Sequence, residues 1–121
     1  MSPLSNRVEF PPGQILFNEG DDSRDLYMLV TGAVEVIMHG QKLATVDEGG
    51  ALFGEISFLL ETPRTATVRT IAPSEFLVIS DVESLVETQP MLMARIAKLL
   101  AQRLREMDEK FLALRKTLMG T

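Results

Sequence analysis

Between Phe53 and Thr70 the chain reads Phe-Gly-Glu-Ile-Ser-Phe-Leu-Leu-Glu-Thr-Pro-Arg-Thr-Ala-Thr-Val-Arg-Thr, and this stretch has the residue types to hold an anion. Gly54 and Glu55 open a short apolar run, Ile56 to Leu60, long enough for about two helical turns. A helix that begins there turns unbonded backbone N–H groups and a positive dipole end toward whatever lies at its start. Such a terminus is a natural anion seat. Arg64 follows shortly after. One segment thus offers helix N–H groups, a carboxylate and a guanidinium at close quarters. That set suits a ligand with one phosphate and a hydroxyl-bearing sugar. The plainer alternative is a capped surface helix with Arg64 in an ordinary salt bridge.

The neighbouring sequence must place these groups. Thr62-Pro63 ends the helix, because proline lacks an N–H and biases the residue before it away from helix. From Thr65 to Val68 the pattern alternates like a strand with Ala66 and Val68 inward. Upstream, residues 1–12, with three prolines, read as a lead-in with little regular structure. Pro12-Gly13, Glu19-Gly20-Asp21-Asp22, Thr31-Gly32, His39-Gly40 and Asp47-Glu48-Gly49-Gly50 are turn signals. Between them lie short strands at 14–17, 26–30, 33–38 and 42–46, then Leu52-Phe53, with a further strand at 76–79. Short strands punctuated this way argue for a small closed or folded-over β structure rather than βαβ units. Ser80-Asp81-Val82-Glu83 reads as a capping box that starts a short helix through about Thr88. Pro90 fits the first turn of a final helix running to about Leu118, with Gly120 as its stop.

Composition narrows the function classes. A chain of 121 residues with 45% apolar and 24% charged residues is one ordinary globular unit with a modest core. It has no cysteine, which excludes disulfides and thiolate zinc sites and suits a reducing cytoplasm. No basic region with an apolar core opens the chain, and no apolar run nears the roughly 20 residues of a membrane span. Net charge is −5, divided as −9 over residues 1–94 and +4 over residues 95–121. An acidic body repels a nucleotide, so binding one requires focused local positive charge, which Arg64 and the helix terminus supply.

The stretch Phe53-Gly54-Glu55-Ile56-Ser57, a loop, then Pro63-Arg64-Thr65-Ala66-Thr67-Val68 resembles the phosphate-binding cassette of the cyclic-nucleotide-binding domains. Pro12-Gly13, Glu19-Gly20-Asp21 and Tyr27 to Val34 are similar to that family's glycine-punctuated β-roll. The resemblance covers about nine tenths of the chain. It departs at Ala51, where the family usually has an acid, and at Thr70, where it has alanine. Neither position contacts ligand in the family, and both read as tolerated. The implied fold is mainly β with flanking helices. It is a double-stranded, jelly-roll-like β-roll over 1–89, with the cassette at 53–70, followed by a short helix and a long C-terminal helix over 90–119.

The resemblance also implies roles for single residues. Glu55 would accept hydrogen bonds from the ribose 2′-hydroxyl beside the backbone of Gly54, where a β-carbon would block the sugar. Arg64 would pair with the cyclic phosphate through its planar fork. Backbone N–H groups near Ile56, Ser57 and Thr65 would complete the cradle, and Ala66 would leave room beside it. The base would rest on Leu52, Phe53 and Val68, with Gln102 or Arg103 on the final helix as polar lid candidates. Thr65 accompanies guanine contacts in some relatives but also occurs with cyclic AMP, so cyclic AMP stands ahead of cyclic GMP. No metal is implied.

The final helix carries Ile96, Leu100, Leu104, Met107, Phe111, Leu114 and Leu118 at steps of four or three residues, a heptad-like seam. Self-association as a homodimer through this helix is expected, with packing on its own roll as the alternative. The overall expectation is a cytoplasmic regulatory module that couples cyclic-nucleotide binding to movement of that helix. Its rival is a non-catalytic dimerisation or scaffold module with an unused pocket. DNA-binding relatives place their reading element after the long helix, where this chain ends, so no specific DNA contact is expected. An enzyme reading fares worst. A single histidine, His39 in a turn, cannot build the metal site of β-barrel oxygenases, and no Ser–His–acid set can be proposed.

Overall fold

Eight strands and three helices account for the turn-punctuated pattern in a computed structural model that describes residues 5–118. In order they are β1 (Ser5–Phe10), β2 (Ile15–Phe17), β3 (Leu26–Thr31), β4 (Val34–Met38), β5 (Gln41–Val46), β6 (Leu52–Phe53), α1 (Glu55–Leu60), β7 (Thr67–Thr70), β8 (Ser74–Ile79), α2 (Val82–Thr88) and α3 (Pro90–Leu118). The strands form two antiparallel sheets of four, ordered β1-β8-β3-β6 and β2-β7-β4-β5. The expected double-stranded β-roll with a short and a long helix after it is the fold.

One apolar cluster joins the sheets. Leu29, Phe53 and Phe76 come from the first sheet and Phe17, Val34 and Val68 from the second, all buried. Phe76 is fully buried and meets Tyr27 and Phe53 edge-on, with ring centroids 6.1 and 6.5 Å apart, an arrangement that aligns ring edges with ring faces. Register fixes which residues point inward, because a one-residue slip would turn every side chain to the other face. In β7 the inward set is Val68 and Thr70, while Arg69 faces out beside its cross-strand partner Glu35 on β4.

Three local expectations are corrected. Residues 5–10, taken for irregular lead-in, form β1 and pair along their whole length with β8, from Ser5 opposite Ile79 to Phe10 opposite Ser74. The alternation of Val8 and Phe10 against polar neighbours is a strand signal that the nearby prolines masked. The strand expected at 65–68 begins instead at Thr67, because Thr65 and Ala66 sit in the bend that follows Arg64. The α2 helix takes its cap from Asp81, whose Oδ1 accepts the Glu83 N–H at 3.0 Å, rather than from Ser80.

Residues 1–84 and 85–121 form two separate compact units, divided within α2. In the second, Leu85 and Ile96 are fully buried and Leu100 is half-buried. Leu104, Met107, Phe111, Leu114 and Leu118, the rest of the expected seam, lie with Gly120 outside the residues whose side chains are described.

Candidate phosphate-binding site

The cassette folds as its residue types require. Gly54 caps α1 at φ 84°, a left-handed conformation that favours glycine. Glu55 is in the first turn of α1, where a negative side chain complements the helix dipole. Ser57 and Phe58 are buried, and Ile56 is exposed. Helix α1 stops at Glu61, also left-handed, whose N–H closes on the Ser57 carbonyl.

Arg64 lies at the centre of the site and is only 3% exposed. Its guanidinium donates from three different nitrogens: Nε to Ser23 Oγ at 2.9 Å, Nη1 to the Gly54 carbonyl at 3.1 Å and Nη2 to the Asp25 carbonyl at 2.8 Å. Its Cζ stands 4.0 Å above the centroid of the Phe17 ring, close enough for a cation–π contact. All three acceptors are neutral. The ordinary salt bridge that would have explained Arg64 away is therefore not what holds it. Burial lowers the Arg64 pKa from its usual value, and the neighbouring Arg24 charge lowers it further, against opposing effects of Tyr27, Asp25 and Asp21. The guanidinium remains charged at neutral pH.

The loop between β2 and β3 forms the other wall. The Gly20 N–H donates to the Arg64 carbonyl and the Arg64 N–H to the Asp21 carbonyl, both at 2.8 Å. Arg24 Nη1 reaches the Thr62 carbonyl at 2.7 Å, and the Glu19 N–H reaches Thr67 Oγ1 at 2.9 Å. The segment ahead of β7 is thus stitched to residues about forty positions earlier.

The absent side chain at Gly54 has a purpose within the chain itself. A β-carbon there would collide with Arg64 Nη1 and lie 2.9 Å from the Asp25 carbonyl oxygen. Gly54 is what lets the arginine approach the turn.

Of the candidate residues, Gly54 and Arg64 are in direct contact, with Glu55, Ile56 and Ser57 following Gly54 in α1 and Thr65 and Ala66 following Arg64. Thr65 is exposed and Ala66 buried. Leu52, Phe53 and Val68 are 4, 7 and 3% exposed, Phe53 and Val68 within the core cluster. Gln102 and Arg103 are exposed on α3, in the second unit. Sequence reasoning missed Phe17, Ser23 and Asp25, the residues that grip Arg64. No spacing signal joins them to it, because the contacts close only through the fold. His39, expected in an exposed turn, is exposed and contacts Glu19 at 3.1 Å. Among the described residues no three His, Cys, Asp or Glu are grouped to hold a metal ion, and no helix is long and apolar enough to cross a membrane.

Known proteins share this architecture. The catabolite activator protein of Thermus thermophilus superposes with a TM-score of 0.75 at 32% identity, over 91% of this chain and 55% of that one. A cyclic nucleotide-binding domain from Methylobacillus flagellatus does so at 0.74 and 31%, over 85% and 64%. In sequence, the cyclic AMP receptor protein of Thermus thermophilus is 34% identical over 82% of this chain and 49% of its own length. A lysophospholipase nte1 of Aspergillus fumigatus is 31% identical over 85% of this chain but only 7% of its own length. The chain therefore spans half or less of these two relatives. The family model described as cyclic nucleotide-binding domain matches residues 7–88. Since that match runs from β1 through the cassette to the end of α2, the chain belongs to the cyclic nucleotide-binding domain family.

Proposed function

We propose that this domain is a cyclic-nucleotide sensor, with cyclic AMP ahead of cyclic GMP as its ligand, and that binding is passed on through the C-terminal helix. The observation that carries the reading is the Arg64 guanidinium, 3% exposed and satisfied by a hydroxyl and two carbonyls. A buried cation whose hydrogen bonds all go to neutral acceptors is costly. A cyclic phosphate, with a single negative charge, is the group that relieves it. Three of the five guanidinium N–H donors are engaged within the chain, which leaves one on Nη1 and one on Nη2 to donate to phosphate oxygens. Glu55 takes the ribose hydroxyl, and backbone N–H groups near Ile56, Ser57 and Thr65 complete the cradle.

Burial of Arg64, and of the base-contact candidates Leu52, Phe53 and Val68, means that a ligand displaces part of their cover on entry. A ligand that binds an opened arrangement better than the closed one shifts the population toward it. That supports a sensor rather than a static binder. The name of the Thermus relative, a cyclic AMP receptor protein, supports the choice of nucleotide. The heptad-like seam of α3 supports a homodimer, and a cysteine-free chain suits the cytoplasm.

The alternative is a scaffold or dimerisation module, and it draws on the same arginine. Three in-chain hydrogen bonds make Arg64 a structural tie even without ligand. Thermal melting separates the two readings. A ligand at a hundredfold its Kd stabilises the folded state by about 2.7 kcal/mol. Cyclic AMP should therefore raise Tm by several degrees while 5′-AMP does not. An unchanged Tm with both cyclic nucleotides at millimolar concentration would favour the scaffold.

A further inference from the structure

Of the three acceptors on Arg64, two are backbone carbonyls, which almost any residue could supply, and only Ser23 Oγ comes from a side chain. The hydroxyl meets Nε, while Gly54 and Asp25 each accept one N–H, from Nη1 and Nη2, so that each of these nitrogens keeps a second. Phe17 holds the guanidinium from its face, and a ring contact alone leaves the group free to turn within its own plane. The in-plane restraint comes from the three hydrogen bonds together, and the Nε bond is the one of them that depends on a side chain. Ser23 is itself well placed to do this, because residues on both sides of it are tied to the cassette. Asp21 accepts the Arg64 N–H, and Arg24 donates to Thr62. The short stretch Asp21-Asp22-Ser23-Arg24-Asp25 thus works as a clamp with the serine at its centre.

We propose that Ser23 is a positioning residue for ligand recognition, setting the orientation in which Arg64 presents its remaining N–H pair to a ligand phosphate. The inference rests on the cyclic-nucleotide reading of the site. It carries a distinctive consequence. Position 23 is exposed on its outer side, so an acidic side chain fits there, beside Nε. An aspartate would place a carboxylate directly on Nε and compete with the ligand phosphate for the same cation. Ser23→Asp should therefore raise stability while lowering affinity.

The test combines a ligand-free signature with a titration. In the 15N-labelled protein without nucleotide, the Arg64 Nε–H, assigned by its loss in Arg64→Lys, should be a resolved and slowly exchanging signal. It should vanish in Ser23→Ala and remain in Ser23→Thr. Cyclic AMP affinity should fall by roughly tenfold in Ser23→Ala, the effect of one lost hydrogen bond to a charged group, and recover in Ser23→Thr. Ser23→Asp should melt higher than the wild type and bind more weakly than Ser23→Ala. A purely structural serine would not separate stability from affinity in this way. If the wild type binds cyclic AMP and Ser23→Ala binds it equally well, or keeps the Nε–H signal, this inference is overturned and the functional reading stands. If the wild type binds neither cyclic nucleotide, both are overturned.

Discussion

Gly54 and Arg64 occupy a space that only a residue without a side chain leaves open. The Gly54 carbonyl accepts from Arg64 Nη1 at 3.1 Å, and a β-carbon on the same residue would collide with that nitrogen. The backbone there is left-handed as well. Gly54→Ala therefore meets both conformational strain and a clash, and should destabilise the domain by about 1–3 kcal/mol. Urea unfolding would measure this as a lower midpoint at an unchanged slope. Since the displaced group is the arginine itself, ligand affinity should fall in the same variant.

Replacing Arg64 with lysine tests the geometry rather than the charge. Lysine carries a compact ammonium that cannot span Ser23, Gly54 and Asp25 at once. Arg64→Lys should retain the fold but weaken cyclic AMP binding by at least tenfold, consistent with the 2–5 kcal/mol typical of losing one partner of a desolvated charge pair. Competition against a labelled nucleotide would measure it. Equal affinity in the lysine variant would mean that the phosphate needs only positive charge nearby.

Away from the site, Glu35 on β4 is 8% exposed and accepts from Arg69 on β7, at 2.7 Å from Nε and again from Nη2. Lys42 Nζ stands 3.9 Å from its other oxygen. Arg69→Ala leaves a nearly buried carboxylate without its main partner. The arginine side chain is itself 47% exposed, so the loss should be about 1–2 kcal/mol, below the 3–5 typical of fully buried pairs. Glu35→Gln in the same background should recover part of it. Chemical denaturation of the wild type and the two variants forms the comparison.

Tyr27 is the single tyrosine of the chain, and burial, with Asp25 adding to it, raises its pKa above the usual 10.0 while Arg64 acts the other way. A raised pKa in the folded state means that the unfolded chain ionises first. The contribution of Tyr27 is therefore intact below pH 10.0 and is lost as pH rises through the higher folded value. Stability should decline on the alkaline side, and Tyr27→Phe should remove that part of the decline. Tyrosinate absorbance reports this group alone. Ionisation at or below its ordinary pH in the native protein would contradict the assignment.

Much of this arrangement was legible in the sequence, for a physical reason. Turn residues such as Pro12-Gly13 and Thr31-Gly32 carry their conformational demands locally, so the order of short strands follows from them. The cassette was legible because Gly54, Glu55, Pro63 and Arg64 lie close together along the chain. What holds Arg64 in place was not, since Ser23 and Asp25 are 41 and 39 residues away. Thr70 gives a similar lesson. Read as a tolerated substitution, it is fully buried, donating to the Pro11 carbonyl at 2.6 Å and accepting from the Gln14 N–H at 2.9 Å. It anchors the β1–β2 turn, a role that alternation along β7 could not reveal.

The central claim is that Arg64 is a buried cation awaiting a cyclic phosphate. Calorimetric titration of the purified wild type and Arg64→Ala with cyclic AMP and cyclic GMP tests it most directly. The account predicts saturable binding to the wild type, tighter for cyclic AMP, and weaker by roughly 30- to 3,000-fold in Arg64→Ala. Binding of equal strength in the two proteins, or none in the wild type at millimolar ligand, would contradict it.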